Sequence, residues 1–190
     1  MVGTRCPASN PKPRSSAALP YFRTPERVDA LRSTLSAWAG TRWRHAGTRP
    51  NEMRCGVSGD CLFWVHVFKA IGALPAGLQI PKYRKREAAM DNMLRLRTCI
   101  ESSARAELVG TRCCASDDNK PRSSATLPML LCGDVLLFNN GMSGTHCGLV
   151  VKEAPVHFVH LSQNGMNEEP LNQVHWLANL AYVYRLVEAS

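Results

Sequence analysis

Cys61 stands where a thiol could do chemistry. It closes the Gly- and Ser-containing stretch Cys55-Gly56-Val57-Ser58-Gly59-Asp60-Cys61 and opens a run, Leu62 to Ile71, that is apolar apart from His66 and Lys69. Asp60 is a good helix N-cap, because its carboxylate can accept the orphan N–H groups of the first turn. Gly72 supplies a stop. Cys61 is thus predicted in the first turn of a buried helix, where the positive end of the helix dipole favours thiolate, the form that attacks carbonyl carbon. A lone cysteine in such a place is more often a plain buried residue. The histidines far downstream alter that balance: His146 in Thr145-His146-Cys147-Gly148-Leu149, and His157 and His160 in His157-Phe158-Val159-His160-Leu161-Ser162.

The elements that must position these groups follow from pattern. A first helix is predicted from Pro25 to Ala39, with Thr24 as N-cap, Pro25 at the first position and Glu26 in the first turn. Val28, Leu31, Leu35 and Trp38 form its apolar stripe. A loop containing Trp43 and His45 leads to the Cys61 helix. After Lys82-Tyr83-Arg84-Lys85-Arg86, a solvated basic cluster, a long helix is expected from about Glu87 to Leu108. Short strands are expected at Val135–Phe138, Cys147–Val151, Phe158–Leu161, Glu169–Leu171 and Ala181–Val187, with turns at Gly141, Gly144 and Asn164-Gly165. Helices followed by antiparallel strands read as α+β, with N-terminal helices packed on a small antiparallel sheet. Strand alternation puts His160 on one face with Phe158 and Ser162, and His157 on the other with Val159.

Four motifs occur in order: Asp60-Cys61 opening a helix, Gly133-Asp134-Val135-Leu136-Leu137-Phe138, His146-Cys147-Gly148-Leu149, and Val159-His160-Leu161-Ser162. Together with Gly40-Thr41-Arg42-Trp43-Arg44-His45 they resemble the NlpC/P60 cysteine peptidases, closest to the phage-tail branch, over about Thr24 to Leu186. The resemblance implies a papain-like core with Cys61 as nucleophile, His146 as general base and His160 as the residue that orients it. Backbone N–H groups at the helix start would form the oxyanion site. It also implies that Trp43 and Asp60 bind substrate: Trp43 lines the cleft where the family usually has Tyr, and Asp60 pairs with an ammonium. The implied reaction is amide hydrolysis in the peptide stem of peptidoglycan, with the stem peptide as substrate and phage tail proteins as further partners. The sequence departs from the family in having Leu62 where a Ser commonly follows the nucleophile. The alternative is an inactive wall-binding or tail-structural module on the same fold.

Composition sets the remaining bounds. The 190 residues carry a formal net charge of +8, 45% hydrophobic and 20% charged residues, ordinary for one globular domain. The positive charge suits an anionic polymer such as the cell wall. With no nucleic-acid motif, nucleic acid is the lesser option. No apolar run suits a membrane span, and Met1 to Pro20 lacks the apolar core of a secretory signal, so the chain is expected to start in the cytoplasm, with association to a virion or tail as the phage-branch alternative. The 8 cysteines include no C-x2-C pair, so no zinc ribbon is expected. A Cys61–His146–His160 metal set would need a fourth ligand or an open position, and neither metal nor cofactor is expected. Residues 2–20 and 109–128 are near-copies of one Pro-, Ser- and Arg-containing segment without periodicity. The domain reading is therefore a disordered repeat-derived segment over 1–22, and one domain over 23–190 interrupted by a repeat-derived loop at about 109–128.

Overall fold

The computed structural model of the chain describes residues 18–41, 63–78, 97–98, 100–102, 105–111, 127–139, 145–162 and 164–188. Its helices are α1 (Pro25–Ser36), α2 (Phe63–Ala70) and α3 (Val174–Asn179). Its strands are β1 (Ala106–Thr111), β2 (Val135–Asn139), β3 (Thr145–Glu153), β4 (Val156–Ser162), β5 (Gly165–Pro170) and β6 (Leu180–Leu186). Residues 97, 98 and 100–102 are also helical. The strands form one antiparallel sheet in the order β1-β6-β2-β3-β4-β5. Helices lead and an antiparallel sheet follows, as expected of an α+β chain.

Side chains leave a strand alternately to its two faces, so the sheet sorts its apolar residues into two cores. One face carries Val135, Leu137, Cys147, Leu149, Val151, Val159, Leu161, Tyr184 and Leu186, packed with Leu31 and Leu35 of α1 and Phe63, Trp64, Val65, Val67 and Phe68 of α2. The other carries Leu136, Phe138, Val150, Phe158, Leu180 and Val183 beneath Trp176 of α3. Five of the eight residues of α2 are buried, which makes it the main apolar weight on the first face; each such side chain stabilises the fold by about 1.5–3 kcal/mol. Helix α1 is held at its start by Pro25 rather than by a Thr24 side-chain cap. Arg27 fixes its orientation: the guanidinium lies 4.3 Å over the Tyr21 ring and donates to Tyr21 O at 2.8 Å and to Glu188 Oε1 at 2.6 Å.

Two expectations need correction. The helix expected to reach Leu108 ends before it, because residues 106–111 form an edge strand on β6, from Ala106↔Leu186 to Thr111↔Tyr182. The register slips between Leu108 and Gly110, where a Cβ on Gly110 would come within 2.8 Å of the Pro128 ring. The repeat copy thus begins inside the sheet at Val109, and residues 112–126 lie outside the described residues. The second correction concerns the N-terminal segment expected to be disordered through residue 22. Its last residues are docked: Pro20 bridges to Val187, Tyr21 N donates to Leu186 O at 2.9 Å, and Phe22 is buried. Phe22 occupies the space above Gly133, where a Cβ would lie 2.0 Å from its ring, and Gly133 has φ +87°. Residues 1–17 lie outside the described residues.

Candidate functional site

Strand β2 starts from a turn locked by Asp134. Its buried carboxylate takes two bonds from Arg185 of β6, Nε to Oδ1 at 2.8 Å and Nη2 to Oδ2 at 2.7 Å, and one from Leu131 N at 2.8 Å. Burial, with a smaller push from the Glu153 charge, raises the pKa of Asp134, and the bidentate guanidinium and the Leu131 N–H oppose it. The backbone of Gly133 and Asp134 meanwhile pairs with Val150 of β3. The Gly-Asp motif therefore works as a structural clamp that sets β2 and β3 in register, and with them Phe138 opposite His146.

His146 is the second residue of β3 and sits on the α3 side of the sheet. Two positions on, Gly148 leaves room for the Phe158 ring, which a Cβ there would approach to 2.3 Å. Phe158 and Phe138 in turn pack on Trp176, with ring centroids 5.0 and 4.9 Å from it. The His-x-Gly spacing thus makes an aromatic bed, and the imidazole of His146 stacks on Trp176 at 5.7 Å and 21°. His160 projects from the middle of β4 onto the same bed, as strand alternation predicted, 5.1 Å from Trp176 and almost edge-on to it.

The two imidazoles meet. His146 Nε2 lies 2.9 Å from His160 Nδ1, and His160 Nε2 lies 3.3 Å from Glu169 Oε1 on β5. The other oxygen of Glu169 accepts from Trp176 Nε1 at 2.6 Å. His157 points to the opposite face and pairs with Glu168 at 3.0 Å, outside this group. His160 is buried and His146 is half-buried. Burial drives His146 from its ordinary 6.5 down to about 4; the His160 ring lowers it further and Glu169 opposes. Burial also lowers His160, against its bond to Glu169. For Glu169 burial acts upward, but the bonds from Trp176 and His160 prevail and hold it below its usual value. Near neutral pH the set is two neutral rings and one carboxylate. Such a set can take up and return a proton at the imidazole nitrogen left over, Nδ1 of His146. Among the described residues no group of three or more His, Cys, Asp or Glu side chains could hold a metal ion.

Of the site residues expected from sequence, the structure brings together His146 and His160. Cys61, Asp60 and Trp43 lie outside the described residues. Helix α2 is described over Phe63–Ala70 and ends before Gly72, which has φ +70°, as expected of its C-terminal end. Sequence reasoning missed Glu169 and Trp176. A signal for Glu169 existed: a tight β4–β5 hairpin at Asn164-Gly165 pairs Ser162 with Gly165 and so places Glu169 opposite Phe158, diagonal to His160.

No family model and no curated protein matches the sequence. Among solved structures, the chain is similar to a protein of Staphylococcus aureus described as similar to lipoprotein, NLP/P60 family, with a TM-score of 0.51 and 15% identity over 90% of this chain. The chain spans 44% of the length of that structure. Among the described residues no helix is long and apolar enough to cross a membrane. At the level of its helices and antiparallel sheet, the chain has an NLP/P60-like fold.

Proposed function

We propose that the protein is a cysteine hydrolase that cleaves amide bonds in the peptide stem of bacterial peptidoglycan. The observation that carries this reading is the 2.9 Å contact between His146 Nε2 and His160 Nδ1, which leaves Nδ1 of His146 as the base. In the proposed reaction the Cys61 thiol gives its proton to His146 Nδ1 and the thiolate adds to the carbonyl carbon. The tetrahedral adduct collapses, the C–N bond breaks, and the leaving amine takes the proton from His146. Water then attacks the thioester, giving one proton to His146, and Cys61 is regenerated as the acid product departs. Helix α2 packs on the face of the sheet opposite the histidine pair, so this reading requires the thiol to approach His146 around the end of β3, where that residue sits. The +8 charge favours an anionic wall polymer as substrate. Trp43 and Asp60 are the proposed substrate-binding residues, Asp60 for a free ammonium of the stem. The domain reading of one catalytic domain carrying a repeat-derived insertion at about 109–128 belongs to the same proposal; of that segment, residues 109–111 lie in β1 and residues 112–126 lie outside the described residues.

Leu62, in the place where the resembled enzymes commonly have Ser, favours a second reading: a wall-binding or phage-tail structural module without activity. One assay separates the two. Purified protein is incubated with peptidoglycan and released peptides are identified by mass spectrometry, with Cys61→Ala and His146→Ala in parallel. The hydrolase releases stem fragments and either substitution lowers the rate by at least roughly 10²-fold. Binding to peptidoglycan without release, or release undiminished in Cys61→Ala, refutes it. Limiting iodoacetamide offers an independent check, since Cys61 should react ahead of Cys132, whose buried thiol is pushed up to about 11.

A further inference from the structure

We infer that Glu169 is a positioning residue that fixes the proton positions of both imidazoles, and that the Trp176 indole N–H selects which of its side-chain atoms faces His160. The inference rests on the hydrolase reading only for its catalytic consequence, since the proton positions follow from the hydrogen bonds themselves. An ionised carboxylate can only accept hydrogen bonds. Glu169 Oε1 faces His160 Nε2, so that nitrogen carries the proton. A neutral imidazole has one N–H, which leaves His160 Nδ1 as an acceptor. His146 Nε2, 2.9 Å away, must then be the donor. The lone pair of His146 consequently lies on Nδ1, the nitrogen that has to be basic. One carboxylate on β5 thus dictates the tautomer of a ring on β3, two strands away, through the ring on β4 between them. Trp176 completes the device. Its N–H can only donate, and at 2.6 Å from Oε2 it keeps the carboxylate turned so that the other oxygen meets His160.

The arrangement makes a sharp prediction for Glu169→Gln, which keeps the shape and changes the donors. The indole N–H must face an acceptor, so the amide oxygen turns to Trp176 and the NH2 turns to His160 Nε2. His160 then accepts at Nε2 and donates from Nδ1, His146 accepts at Nε2, and its proton moves to Nδ1, where the base is needed. Adding Trp176→Phe removes the constraint: the Gln amide can flip, present its oxygen to His160 and restore the original tautomers. Trp176→Phe alone leaves them unchanged, because either oxygen of a carboxylate accepts.

The test is long-range ¹H–¹⁵N NMR of the imidazoles in the full chain at pH 7.5, with His146 and His160 assigned, for the native protein, Glu169→Gln, Trp176→Phe and the double variant. The expected result is protonated Nε2 on both rings in the native protein, protonated Nδ1 on both in Glu169→Gln, and a return towards Nε2 in the double variant. In parallel, peptidoglycan hydrolysis should fall roughly 10²–10⁴-fold in Glu169→Gln, the scale of a triad histidine held in the wrong tautomer, and recover in part in the double variant. Protonated Nδ1 in the native protein overturns the inference even if no variant folds. So do rings that ignore Glu169→Gln, or a double variant with the same tautomers as Glu169→Gln. Should the tautomers switch as stated in a protein that releases nothing from peptidoglycan, the relay stands and the hydrolase reading falls. Should hydrolysis need Cys61 while the rings do not follow Glu169, the hydrolase reading stands and the relay falls.

Discussion

Acid should loosen this fold earlier than its carboxylates would, and the His146–His160 pair is the reason. The pKa of His146 falls from 6.5 to about 4 on folding, mainly through burial. The unfolded chain therefore binds a proton at this site in a pH range where the folded chain does not. Stability rises with pH wherever the unfolded state holds more protons. Its contribution is complete above about 6.5 and is lost as the pH falls towards about 4. At about 1.4 kcal/mol per pKa unit, the full interval amounts to about 3 kcal/mol, a large share of the 5–15 kcal/mol typical of a domain. His160 is lowered as well, so the pair loses stability in the same direction and titrates as a unit. Glu169 opposes the effect by favouring charged rings, while His175, its ring centroid 4.6 Å from that of Trp176, adds to it for His160. The perturbation is His146→Phe, which keeps an aromatic ring against Trp176 and Phe138 and removes the group that titrates. Urea unfolding would be measured at half-unit steps from pH 7.5 to 4.5 for both proteins. The native protein should lose about 2–3 kcal/mol more than His146→Phe across that range. Equal losses, or a native protein that gains stability on acidification, would refute the burial argument.

Two further predictions concern the scaffold beneath the site. Asp134→Ala should cost about 3–5 kcal/mol by urea denaturation, because Arg185, with a side chain only 17% exposed, keeps a charge whose partner is gone; Asp134→Leu combined with Arg185→Met should recover most of it, and a single-variant loss below about 1 kcal/mol would contradict the clamp. Gly148→Ala should destabilise by about 1–3 kcal/mol, since its Cβ would sit 2.3 Å from Phe158 Cδ2, and Phe158→Leu in the same chain should offset part of the loss; an unchanged unfolding midpoint in the single variant would show that the aromatic bed is looser than described.

How much was legible depended on how local each cause was. Strand alternation is a property of a few consecutive residues, so it placed His160 with Phe158 and apart from His157 before any fold was known. The end of α2 followed from an apolar run stopped by Gly72, and the start of α1 from Pro25 and a regular stripe, although α1 ends at Ser36 rather than Ala39. Where the deciding contact is distant, sequence pattern failed. Ala106–Leu108 was expected to end a helix and Val109–Thr111 to open the repeat, yet Ala106–Thr111 pairs as a strand because β6, some 75 residues on, offers an edge. Phe22 docks because Gly133 lacks a side chain more than a hundred positions away. Helix α3, at six residues, is too short for periodicity to register, so Trp176 carried no signal. Glu169 read only as the first residue of a short strand. Its role needs His160 on one side and an indole N–H on the other, and neither distance exists until β4, β5 and α3 are packed together. The residue types capable of chemistry were thus set by the sequence alone, whereas the contacts that hold the His146 and His160 rings depend on three elements that only the tertiary structure brings together.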